Sequence, residues 1–167
     1  MKKTLFALIT TAFFLQGCEG PVGPQGPAGA DGLLGEVHEV KATFTASNNF
    51  AVDFDFEGFP IEESDKIVGF ILEGEDNQGN DNWEPLPQTF FDNGNTYVYT
   101  FNFSRTGFTL FLDGNANPGL LSTSKRTDRY FRLMIVPGWL VGKVDLNSMQ
   151  DIMAKMGVSE ADIHPIH

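Results

Sequence analysis

Cysteine, histidine and basic side chains are scarce in this sequence, and each shortage removes a class of function. Among 167 residues there is one cysteine, Cys18, so no intramolecular disulfide can form. The three histidines, His38, His164 and His167, follow no metal-ligand spacing, and the last two stand at a tail expected to fray. Eleven Lys and Arg face 22 Asp and Glu, a formal net charge of −11. Such a balance repels phosphate backbones and gives no electrostatic grip on anionic lipid, so no nucleic-acid partner is expected. The chain has no G-x-S-x-G elbow, no H-E-x-x-H and no phosphate-cradling glycine loop. It is read as a non-enzyme, with no cofactor, no metal and no catalytic residue assigned. Long apolar runs are missing as well. The run from Leu5 to Leu15 is too short for a membrane-spanning helix, which needs about twenty residues.

What is present at the start is an export signal. Lys2 and Lys3 form its positive end, Leu5 to Leu15 its apolar part, and the small Gly17 precedes the cut. A lone thiol then follows in Leu15-Gln16-Gly17-Cys18, which resembles the bacterial lipobox; the resemblance implies diacylglycerol transfer to the sulfur, which would anchor the mature chain. Each buried methylene of an acyl chain contributes about 0.8 kcal/mol, so two or three chains hold firmly where one does not. Cleavage before Cys18 removes two of the eleven basic residues and no acid, leaving a net charge of −13. The expected place is the outer membrane or cell surface.

Glycine then recurs at every third position: Gly20, Gly23, Gly26, Gly29, Gly32 and Gly35. Proline follows the first three of these glycines, which favours polyproline II, and glycine in period three is what a triple-helix axis requires. Two arrangements are open. As an extended monomeric tether, the sixteen residues from Gly20 to Gly35 reach roughly 50 Å. As a homotrimeric stalk, they would have to offset the ordering entropy of three chains, and three Gly-Pro triplets offer little toward it. The tether is preferred. Residues 1–17 are thus a signal peptide, 18–35 a lipid-anchored spacer, and 36–167 a folded head.

The head alternates apolar and polar residues in short runs. Val40, Ala42, Phe44 and Ala46 predict one half-buried strand, and Phe50, Val52, Phe54 and Phe56 another. Ile67 to Leu72 is continuously apolar, as a strand covered on both faces is. Gln88 to Phe91, a hairpin at Asp92-Asn93-Gly94-Asn95, Tyr97 to Phe103, Phe108 to Leu112 and Tyr130 to Val136 complete about seven strands. An antiparallel β-sandwich follows. Leu146, Met149, Ile152, Met153 and Met156 recur at helical spacing, which adds one C-terminal amphipathic helix with Asp145 or Asn147 as N-cap and Gly157 as C-cap.

The lipobox, the Gly-Pro triplets, Trp83-Glu84-Pro85-Leu86-Pro87 and Phe131-Arg132-Leu133-Met134-Ile135-Val136-Pro137 together resemble the collagen-like lipoproteins of Bacteroidetes-type bacteria. The resemblance extends to about Gly138. It implies a lipid-anchored envelope protein with a β-sandwich head, and it lends no catalytic residues.

Four other features each have a bland explanation beside a sharper one. Asp53, Asp55 and Glu57 share one strand face, as a calcium or acid–base row or as the solvated side opposite the phenylalanines. Asp76 to Asp81 and Asp113 to Asn117 carry the oxygen donors of a calcium loop, and equally the residues of tight turns. Lys125, Arg126, Arg129 and Arg132 could meet an anionic partner, or balance a generally acidic surface. Trp83, Tyr97, Tyr99, Tyr130 and Trp139 would make a sugar platform if exposed together, although Tyr97 and Tyr99 share a face with Phe101 and Phe103. The preferred reading is structural or interaction work in the envelope. The alternative is an extracellular glycan- or solute-binding module.

Overall fold

In a computed structural model, the described residues are 35–56, 58 and 61–166. The signal, Cys18 and the glycines from Gly20 to Gly32 lie outside them. Nine strands form two sheets. The first contains β1 (Glu36–Ala42), β3 (Lys66–Glu75), β4 (Asp81–Pro85), β8 (Arg129–Val136) and β9 (His164–Ile166), in the order β4-β3-β8-β1-β9. The second contains β2 (Ala51–Asp55), β5 (Gln88–Asp92), β6 (Asn95–Phe103) and β7 (Gly107–Gly114), in the order β2-β7-β6-β5. All pairings are antiparallel except β1 with β9, which is parallel.

The expected sandwich is therefore present, with its layers held by side chains of opposite parity. Phe131, Leu133 and Ile135 of β8 face Tyr97, Tyr99, Leu110 and Leu112 of the second sheet. Their neighbours Met134 and Val136 point the other way, into a second cluster with Val37 and Phe70. Helix α1 (Met149–Met156) closes that cluster with Met149, Ile152, Met153 and Met156. The first sheet is thus covered on both faces, which is why Phe131 to Val136 is buried throughout and reads as an unbroken apolar run. Burying each such side chain stabilises the fold by about 1.5–3 kcal/mol.

The β5–β6 hairpin turns at Asn93 and Gly94, with φ of 48° and 79°. A two-residue turn needs left-handed backbone at both places, and Asn-Gly adopts it most readily.

Several boundaries differ from the sequence expectation. The first strand ends at Ala42, and Ala46 belongs to a single 3-10 turn, yet Phe44 remains fully buried. Strand β4 includes Asp81, the end of a stretch read from sequence as turn, and continues through Trp83-Glu84-Pro85, which is not among the expected strands. Its Asp, Asn and Pro disfavour strands in isolation, and it forms only as an edge against β3. The tail expected to fray instead supplies β9, where Pro165 is tolerated because the strand is at an edge. The helix N-cap is Ser148, whose side chain accepts from Asp151 N, in place of Asp145 or Asn147. Gly157 is the C-cap, as expected.

Candidate functional site

Gly35 is the one spacer glycine among the described residues, and it is buried. A Cβ there would overlap Met156 Sδ and lie 2.8 Å from Ile135 O. The last glycine of the triplet series is thus demanded by the head, where α1 closes over the start of β1. Strand β1 is internal, with seven register pairs to β8 and three to β9. From His38 to Val40 the strand is paired on both sides.

Beside this entrance is a cluster that the sequence spacing did not reveal. His38 is fully buried, with Nε2 3.4 Å from Glu36 Oε2. Its ring centroid is 5.8 Å from that of Phe56 and 5.9 Å from that of His164. Burial, reinforced by His164, lowers the His38 pKa to about 4. Burial also raises the Glu36 carboxyl, although His164 opposes the rise. The parallel pairing of β9 onto β1 sets His164 opposite His38. Residues 126 positions apart in sequence meet only through that pairing.

Arg132 organises the helix-side face of the first sheet. Its Nε donates to Glu39 Oε2 at 2.9 Å, and Nη1 and Nη2 donate to Glu160 Oε1 and Oε2 at 2.9 and 2.7 Å. The guanidinium lies 4.3 Å from the ring centroid of Trp83. A planar fork held on two carboxylates and an aromatic face is a joint between β8, β1, β4 and the C-terminal segment. The rest of the basic run is also occupied. Arg126 Nε donates to Leu121 O, Arg129 donates to Leu72 O and Glu73, and Lys125 lies over Phe90. Arg132 is thus set apart from the other three, on the opposite face of β8 from Arg129, whereas Lys125 and Arg129 both lie against the stacked rings of Phe90 and Tyr99.

The acidic row is exposed, as a solvated strand face would be. Asp53 and Asp55 project from β2, and Thr109 Oγ1 donates to Asp53 Oδ1 at 2.6 Å. Register places Asn102, Thr109 and Asp53 in a line across three strands. They line an open cleft of about 370 Å³ together with Asp55, Ser104, Thr106 and Phe103. The side chain of Glu57 is outside the described residues.

Both oxygen-rich loops use side-chain oxygens as hydrogen-bond acceptors within the protein. Asp76 accepts from Asn80 Nδ2 and from the amides of Gln78 and Asn80, and these bonds hold its carboxyl below the usual range. Asp113, Asn115 and Asn117 accept from Gly114 N, Thr96 N and Gly119 N. Among the described residues no three His, Cys, Asp or Glu side chains gather as metal ligands would.

The aromatic set is divided rather than assembled. Tyr97 and Tyr99 are core residues, and burial pushes the Tyr99 hydroxyl up to about 12 while it donates to Lys125 O. Trp83 is half-buried under Arg132, whereas Tyr130 and Trp139 are exposed before and after the buried run of β8. No helix among the described residues is long and apolar enough to cross a membrane. No known protein family, no curated protein and no solved structure matches this chain.

Proposed function

We propose that this is a lipid-anchored bacterial envelope protein that displays a β-sandwich head for structural or interaction work. Cys18 carries the lipid, and residues 18–35 form the collagen-like spacer. The chain resembles the collagen-like lipoproteins in this respect. The observation that carries the reading is the burial of Gly35. Gly35, the last glycine of the series, packs as part of the head, which supports a head that starts at the end of the triplets. A pull through that segment would enter β1 at its N-terminal end and load its two ladders along the strand.

The test is fractionation of cells grown with labelled palmitate. Wild-type protein is expected in the membrane fraction with label, and Cys18→Ser without label and released. Label-free wild-type protein in the soluble fraction would contradict the reading.

A second reading, binding of a glycan or another extracellular solute, is favoured by the cleft beside Asp53. It offers a carboxylate, a hydroxyl and an amide in one row, with Phe103 half exposed at its rim. Calorimetry of the full chain with neutral oligosaccharides would detect it, and Asp53→Asn should abolish the heat.

A further inference from the structure

The two sheets present four edges, β4 and β9 on the first and β2 and β5 on the second. An open edge is a template for another strand, and folded proteins blunt it with charge, proline or shortness. Three of the four are blunted. β9 has three residues and includes Pro165. β4 carries Asp81, Glu84 and Pro85, and its register with β3 breaks between Leu72 and Gly74. β2 carries Asp53 and Asp55. β5 has no proline or register break, and no charge before its last residue. Its single charge, Asp92, sits at the turn.

The backbone direction of β5 follows from its hairpin. Asn93-Gly94 makes Asp92 and Asn95 the closing pair, so Gln88, Phe90 and Asp92 bond to β6. The amide and carbonyl groups of Thr89 and Phe91 then point outward, and no other described segment pairs with them. Phe91 is also the most exposed large apolar side chain among the described residues, at 78%.

We propose that the β5 edge is where a second copy of this chain docks, antiparallel about a twofold axis at Phe90. In that register Thr89 and Phe91 meet the partner's Phe91 and Thr89, and roughly four backbone hydrogen bonds close the pair. Phe91 covers a β-branched neighbour, which is a favourable cross-strand contact. Asp92 faces the partner's Gln88, so the one charge of the strand avoids its own copy. This matters because a chain with 22 acids and eleven bases repels itself over most of its surface. At β5 a cation, Lys125, stands 5.0 Å from the Phe90 ring centroid, where its charge would offset part of that repulsion. The product is a continuous eight-stranded sheet, β2-β7-β6-β5 joined to its copy. A twofold contact between identical patches closes on itself and stops at two chains. Lipid anchoring at Cys18, if present, would raise the local concentration and favour the pair further.

The test takes the purified full chain through analytical ultracentrifugation, with an oxidative cross-link as its geometric partner. Wild-type protein is expected to form dimers, and Phe91→Lys to be monomeric with an unchanged thermal melt. The paired substitutions Thr89→Cys and Phe91→Cys in one chain should give a covalent dimer, and each alone far less. A wild-type monomer at every concentration would overturn the proposal and leave the edge to a strand from a different protein. A trimer that survives Phe91→Lys would overturn it too, by placing assembly in the glycine triplets. Equal cross-linking by the single and paired variants would refute the register.

Discussion

At the scale of single residues, the head depends on a few groups with no spare room or no alternative partner. Gly35 is one, since any side chain there meets Met156 and the Ile135 carbonyl. Gly35→Ala should destabilise the head by about 1–3 kcal/mol, the usual range for overpacking, read from urea denaturation. A loss below the error of the measurement would mean that α1 shifts freely away from β1. Arg132 is another. Its side chain is 6% exposed, whereas Glu160 is 69% exposed. Removing the arginine strips two carboxylates and Trp83 of a partner, but removing Glu160 leaves Arg132 its bond to Glu39. Arg132→Met is therefore expected to cost about 3 kcal/mol, the lower end for breaking a buried pair because its acids can hydrate. Glu160→Gln should cost no more than about 1 kcal/mol. Equal losses in the two variants would contradict this ranking.

His38 gives the residue scale a pH signature. Its pKa in the folded head is lowered from 6.5 to about 4. Between these values the unfolded chain binds a proton that the folded chain does not. Stability is then full above pH 6.5 and falls as pH drops through the window, by at most about 1.4 kcal/mol per unit. His38→Gln should flatten that limb of a stability-against-pH curve. An unchanged slope would assign the acid sensitivity to other groups.

At the scale of elements, α1 is the piece that closes the second apolar cluster. It caps the outer face of the first sheet with Ile152 fully buried, and Ser148 holds its first turn. Ile152→Ala should cost about 2–5 kcal/mol and Ser148→Ala about 1 kcal/mol by denaturant unfolding. This helix was legible in the sequence because Met149, Ile152, Met153 and Met156 recur every three to four residues. The sandwich was legible for a similar reason, through the alternation of Tyr97, Tyr99 and Phe101 and the unbroken run from Phe131 to Val136. Strands β4 and β9 were not, since Asp81, Pro85 and Pro165 carry no strand preference of their own. A neighbouring ladder recruits them, and a ladder is a fact of three dimensions. The contact of His38 with His164 was hidden by the same cause. The basic run is not one patch in three dimensions, because Arg129 and Arg132 lie three positions apart on β8 and so face opposite ways.

At the scale of the whole molecule, charge and architecture point the same way. A strongly acidic head stays solvated and resists non-specific contact with anionic surfaces, which suits display from a membrane. The proposed pairing through β5 limits assembly to two heads, in contrast to the three that a collagen-like stalk would gather. These alternatives differ in symmetry, so the mass of the assembled chain separates them.

The claim on which the account turns is the lipid at Cys18. Its most direct test is mass spectrometry of the N-terminal peptide from protein extracted out of membranes. This peptide is expected to begin at Cys18, to lack residues 1–17 and to carry the mass of diacylglycerol with a further acyl chain on the new amine. A peptide that begins elsewhere, or that begins at Cys18 with an unmodified thiol, would contradict it.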